Sequence, residues 1–215
     1  MSYYLGLSFF ASNSHNQQKE NRRKFLSAEA RRVLSELAER PLAQDDIARD
    51  EQGRPFFPEN DGADFSISHS GALAAVSLVR GSKPRTGCDV ELVRPRAKMP
   101  EIAEKYFCAP ERDYIFPRGC LDAQRFFRIW TLKECFIKLR GLSVFDMAAI
   151  PSFVNDGDFV LDEASSFSFF QYELRSAAEC YILTTAIEGK EEPEIRWFSS
   201  DSLECTCIVK INPAK

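Results

Sequence analysis

Glu134 and Lys138 stand four residues apart in the stretch 125–141, RFFRIWTLKECFIKLRG, and Asp89 and Glu91 stand two apart in GCDVE. On a helix the first pair shares a face, with Trp130 one turn earlier. On a strand the second pair points to one side. Carboxylates brought so close repel unless a cation or basic groups lie between them. Octahedral Mg²⁺ takes one or two protein carboxylates, keeps waters, and completes its shell with substrate phosphates. Acids with flanking lysines are therefore a way to hold a metal and a phosphorylated substrate. Lys133 sits beside Glu134, one step around toward the side carrying Phe126 and Ile137. Plainer readings use the same residues. Glu134 and Lys138 could be an exposed pair contributing about 0.3–0.5 kcal/mol, and Asp89 and Glu91 the solvent side of a strand, although acids are poor strand formers.

The elements that must position these residues are marked by periodicity. Phe126, Phe127, Trp130, Phe136, Ile137 and Leu139 recur at helical intervals, and Gly141 follows a basic last turn, a usual helix stop. Residues 86–93 alternate Cys88, Val90 and Leu92 against Asp89 and Glu91, which predicts a strand. Upstream, residues 2–10 read as a first strand, followed by a polar link through Asn16. Residues 22–39 place Phe25, Ala30, Val33, Leu34 and Leu37 at helical spacing before Pro41. Arg22, Arg23 and Lys24 open that helix where its dipole favours acids, so they either reach for an anion or are solvated. Residues 65–70 (FSISHS) and 72–79 (ALAAVSLV) read as strands broken at Gly71.

The basic, proline-bounded linker at 95–100 is the expected boundary between halves 1–94 and 95–215. Short helices are expected at 101–106 and from Pro110, and strands at 158–162, 167–174, 179–187 and 195–198. Each half carries a long amphipathic helix followed by strands, and 72–79 resembles 180–187 (CYILTTAI) in composition and position, a topological hint of duplication that residue identity is too low to establish.

Composition narrows the function. With 44% hydrophobic and 28% charged residues the 215-residue chain is an ordinary globular protein. No apolar run approaches the length of a membrane span and residues 1–10 lack a basic leader, so no membrane association and a cytoplasmic location are expected. Seven cysteines without a C-x-x-C pattern and only two histidines favour reduced, structural thiols over zinc. Residues 80–140 carry 14 Lys/Arg against 8 Asp/Glu, whereas residues 141–215 carry 5 against 13. The basic middle is the part that attracts an anion. A nucleic-acid partner would want a longer basic stripe with interleaved aromatics, and none is expected.

Taken in order, FSISHSG, GCDVE and RIWTLKECFIKLRG resemble the Sfp-like 4′-phosphopantetheinyl transferases. Gly53-Arg54-Pro55 stands where that family has Gly-Lys-Pro, and Tyr106-Phe107 with Glu111 fits a further family segment. The resemblance implies an α+β pseudo-dimer of two similar halves, each a long helix on a small, mainly antiparallel sheet, with the active site at their interface. It implies transfer of the phosphopantetheine arm of coenzyme A to a serine of an apo acyl or peptidyl carrier protein, with release of adenosine 3′,5′-bisphosphate. By position, Asp89, Glu91 and Glu134 would hold Mg²⁺ (or Mn²⁺), and Lys133 and Lys138 would contact the coenzyme's phosphates. His69 with Ser68 would lie on the phosphoadenosine side, Arg54 would take the place of the family's coenzyme-side lysine, and Arg22 would reach the 3′-phosphate. Glu134 would take the serine proton, directly or through a metal-bound water, with Lys138 as its catalytic partner. A monomer with an internal pseudo-two-fold is expected. The alternatives are a non-catalytic coenzyme A or carrier binder and another metal-dependent phosphodiester enzyme. The presence of the expected carboxylates and of Lys133 and Lys138 speaks against the first.

Overall fold

A computed structural model of the protein describes residues 1–10, 19–59, 62–82, 84–160, 166–199 and 203–212. Strand β1 (Ser2–Phe9) precedes helix α1 (Lys19–Ala38), and the expected link through Asn16 lies outside the described residues. Two short strands, β2 (Ala48–Arg49) and β3 (Pro55–Phe56), flank a turn at Gly53. Strands β4 (Ala63–Ser70), β5 (Leu73–Arg80) and β6 (Thr86–Leu92) follow. The middle is helical: α2 (Met99–Tyr106), α3 (Ala109–Ile115) and α4 (Ala123–Arg140). The remainder is strand: β7 (Val154–Asn155), β8 (Asp158–Phe159), β9 (Phe167–Arg175), β10 (Cys180–Glu188), β11 (Glu194–Trp197) and β12 (Glu204–Ile211). Of the strand expected at 158–162, residues 161–162 lie outside the described residues.

Two four-stranded sheets form, ordered β11-β1-β5-β4 and β12-β9-β10-β6. In each, a strand buried along nearly its whole length lies inside the sheet: β5 is antiparallel to β1 and β4, and β10 is antiparallel to β9 and β6. Leu5, Leu7, Ala75, Val90, Phe170 and Leu183 share one core, so the sheets pack against each other. The opposite faces take the helices. Ala30, Val33, Leu34 and Leu37 of α1 pack on Ala74, Val76 and Leu78, and Leu132, Cys135 and Leu139 of α4 pack on Phe169 and Ala186. Each fully buried Val, Leu or Phe side chain among them contributes roughly 1.5–3 kcal/mol. The architecture is thus α+β with two helix-backed sheets, as a pseudo-dimer requires.

The sheets do not divide at 94/95. Strand β6, N-terminal to that boundary, is an edge of the second sheet, paired with β10 from Thr86↔Ile187 to Leu92↔Tyr181. Strand β11, far beyond it, lies parallel to β1 in the first. The proline-bounded linker marks where helices begin, whereas backbone hydrogen bonding assigns a strand to each half from the other. Among the described residues no helix is long and apolar enough to cross a membrane.

Candidate active site

The site begins with a missing side chain. A Cβ at Gly87 would lie 2.3 Å from the carbonyl oxygen of Cys135 and 3.0 Å from the amide of Leu139. Glycine there lets the backbone of α4 lie directly on β6. Helix α4 is fixed at both ends: the Asp122 carboxylate accepts from the Arg125 amide at 3.0 Å, and Gly141 closes it in the left-handed conformation at φ 67°. Its apolar face is buried, which leaves Glu134 and Lys138 turned toward the carboxylates of β6.

There Lys138 Nζ donates to Asp89 Oδ1 at 2.6 Å and to the Cys88 carbonyl at 3.0 Å. Burial opposes the charge on Lys138, and Asp89 outweighs it, so the ammonium titrates above the ordinary lysine range. Burial, then repulsion from Asp89, pushes the Glu134 carboxyl up to about 7, against the pull of Lys138. The same two causes raise Glu91, although Arg96 lies 2.8 Å from its Oε2. Asp89 Oδ2 is buried with no hydrogen-bond partner.

No three Asp, Glu, His or Cys side chains among the described residues are already drawn up as a metal cage. The donor set nevertheless fits a hard divalent cation: all-oxygen ligands, two carboxyls whose charge burial and Asp89 disfavour, and an orphaned acceptor on Asp89 that a cation would satisfy.

A cleft opens beside this cluster, lined by Arg23, Arg31, Arg49, Ser68, His69 and Lys138. His69 Nε2 is 3.4 Å from the Ser27 hydroxyl, and burial lowers its pKa, with Arg23 and Lys138 acting in the same direction. The expected Ser68, His69 and Lys138 are therefore brought together with Asp89. Arg31 and Arg49 are cations of this cleft that sequence reasoning missed. The helical spacing of Arg23, Ser27 and Arg31 was the available signal for the first.

Arg22, Arg54 and Lys133, also expected at the coenzyme, do not line this cleft. At the start of α1 it is Arg23, one residue on from Arg22, that lines the cleft. Arg54 grips Asp64 through two bonds of 2.8 and 2.7 Å and donates to the Lys138 carbonyl at 2.9 Å, with a side chain only 9% exposed. This guanidinium fork has a use for which a lysine lacks the geometry: it ties the turn before β3 to β4 and to the end of α4. Lys133 is fully buried, 3.1 Å from the equally buried Glu111, and donates to the carbonyls of Met147 and Ile150. One step around α4 from Glu134, it faces the packed side of the helix and does not reach the cleft.

A family model described as the 4′-phosphopantetheinyl transferase superfamily matches residues 85–186, which contain both β6 and α4. The chain is similar to the 4′-phosphopantetheinyl transferase AcpT of Salmonella typhi, 32% identical over 152 residues, covering 70% of this chain and 73% of that protein. The chain belongs to the 4′-phosphopantetheinyl transferase superfamily. It is also 34% identical over 98 residues to HetI of Nostoc sp., covering 42% of this chain and 39% of that protein. To Sfp of Bacillus subtilis it is 34% identical over 93 residues, with the same coverage of 42% and 39%. Within this family, Asp89, Glu91, Glu134 and Lys138 fall inside the matched segment, whereas His69 and the arginines of the cleft precede it.

Proposed function

We propose that the protein transfers the 4′-phosphopantetheine group of coenzyme A to a serine hydroxyl of an apo carrier protein. The observation that carries this is the meeting of Asp89, Lys138 and Glu134 at the edge of a cleft lined by Arg23, Arg31, Arg49 and His69. The arginines supply charge for the coenzyme's phosphates, and Lys138 supplies it at the diphosphate. A divalent cation held by Asp89, Glu91 and Glu134 would neutralise the charge of the diphosphate.

The remaining work falls to the chain's own groups. The serine oxygen forms a bond to the phosphorus bearing pantetheine as that phosphorus parts from the bridging oxygen of the diphosphate, which leaves with adenosine 3′,5′-bisphosphate. Glu134, on the helix face beside Lys138, takes the serine proton. An alcohol is a weak nucleophile, so a positioned base and charge on the leaving phosphate are what the reaction needs. The basic middle of the chain suits an acidic carrier surface. Incubation of the protein with coenzyme A, Mg²⁺ and apo carrier domains, followed by mass spectrometry, tests this. A phosphopantetheine mass increment on the carrier serine is expected, and its absence across acyl and peptidyl carriers contradicts the reading.

A further inference from the structure

β4 and β6 are the facing edges of the two sheets, and among the described residues they are not joined in one backbone ladder. Side chains at alternate positions of β4 join them instead. The Thr86 amide donates to Asp64 Oδ2 at 2.9 Å, and the Cys88 amide to Ser66 Oγ at 3.1 Å. The Val90 amide donates to Ser68 Oγ at 3.2 Å, and the Leu92 amide to Ser70 Oγ at 3.0 Å. The partners advance by two on both strands, so β4 and β6 run parallel, and the outward amides of β6 are satisfied without a neighbouring backbone.

Two of these serines have a second bond. Ser68 Oγ donates to Asp89 Oδ1 at 2.9 Å, and Ser70 Oγ donates to Glu91 Oε2 at 3.0 Å. A hydroxyl has one proton, and here an amide already points at its oxygen, so that proton is committed to the carboxylate. In each carboxylate the same oxygen takes a second donor: Lys138 on Asp89 Oδ1 and Arg96 on Glu91 Oε2. The other oxygen of Asp89 is the orphaned one. At the level of Ser66, β6 carries Gly87, which has no carboxylate to orient.

We propose that Ser68 and Ser70 are positioning residues that turn one oxygen of Asp89 and one of Glu91 toward a divalent cation. The alternate serines of β4 thereby serve both as the seam between the sheets and as the outer support of the metal ligands. This rests on the reading that these carboxylates hold a cation.

Mn²⁺ titration of the full-length protein with coenzyme A present, followed by electron paramagnetic resonance, tests it beside thermal melting. Ser70→Ala is expected to bind Mn²⁺ about tenfold more weakly, the usual scale for losing such an outer partner. Ser70→Thr, which keeps the hydroxyl, restores binding to within about twofold of wild type. Ser66→Ala lowers the melting temperature through the seam alone and leaves Mn²⁺ affinity within about twofold. Should Ser70→Ala fail to fold, Ser70→Cys keeps the size with a poor donor, and the same loss is expected. Wild-type Mn²⁺ affinity in Ser70→Ala or Ser70→Cys, with a melting loss like that of Ser66→Ala, overturns the positioning role and leaves the metal site standing. A wild-type protein that binds no Mn²⁺ overturns the metal reading itself.

Discussion

Lys133 and Glu134 are neighbours about 100° apart around α4, and that rotation separates a packing role from a chemical one. Lys133 sits with Glu111 where neither is exposed, and Glu111 also accepts from the amides of Cys108 and Phe153. Removing one partner of such a pair strands a buried charge, so Lys133→Ala is expected to cost about 3–5 kcal/mol of unfolding free energy in urea. The double variant Lys133→Met, Glu111→Leu should recover most of it. A Lys133→Ala protein of undiminished stability whose KM for coenzyme A has risen would show that the lysine reaches the phosphates after all.

Glu134 predicts a pH dependence instead. Its carboxyl is raised to about 7, first by burial. The metal-free protein therefore holds the favourable neutral form below the ordinary carboxylate range and loses that contribution as pH rises through about 7. A cation that binds the ionised form reverses the loss. Added Mg²⁺ should raise the melting temperature more at about pH 8 than at about pH 5.5. An equal or larger rise at the acid end contradicts the assignment. The pairing of Asp89 with Glu91 was legible from their two-residue spacing. The burial of Lys133 was not read from the sequence, which set it at the coenzyme's phosphates, although its place toward Phe126 and Ile137 was the available signal. Glu111 as its partner was not legible, because contact between α3 and α4 is set by packing that no local pattern records.

Among the elements, β6 and α4 decide the site. The glycine of GCDVE is there because the helix backbone needs its space, and the Cβ of Gly87→Ala would fall 2.3 Å from a carbonyl oxygen that cannot swing aside. A loss of about 1–3 kcal/mol in urea unfolding is expected, together with weaker Mn²⁺ binding as Glu134 and Lys138 move from Asp89. An unchanged midpoint would mean that the contact is looser than the geometry requires. Helix α4, β4, β5 and β6 were all recognisable from apolar period and turn residues. Strand β12 was not: Glu204, Cys207 and Lys210 are exposed along it, and its pairing with β9 shifts register between Cys207 and Val209, which blurs the alternation that marks a half-buried strand. Arg31 and Arg49 of the cleft were hidden for a different reason. Arg49 comes from a two-residue strand and Arg23 and Arg31 from α1, and only tertiary packing brings them to His69.

For the whole molecule, the family resemblance implied two helix-backed sheets, yet the exchange of edge strands between them was not encoded in composition. β6 leaves the N-terminal part to complete the second sheet, and β11 returns to complete the first. Cutting the chain in the linker would strip β10 of its neighbour β6 and β1 of its neighbour β11, exposing edges that nothing covers. Neither residues 1–94 nor residues 97–215 alone should bind coenzyme A by calorimetry. Binding by either piece would show that the cleft does not depend on the exchange. The same exchange places β4 and β6 side by side, so the acids of one sheet are held by serines of the other and served by a helix on the outer face.

On the proposed function, Glu134 takes the serine proton while Asp89 anchors the cation. Single-turnover transfer to an apo carrier, followed by mass spectrometry, measures this most directly when Glu134→Gln and Asp89→Ala are compared with wild type. Glu134→Gln keeps size and polarity but removes charge and basicity, and it should slow transfer by at least about 10²-fold while retaining more coenzyme A binding than Asp89→Ala. Asp89→Ala should lose metal-dependent coenzyme binding together with rate. Near-normal transfer by Glu134→Gln would rule out Glu134 as the base.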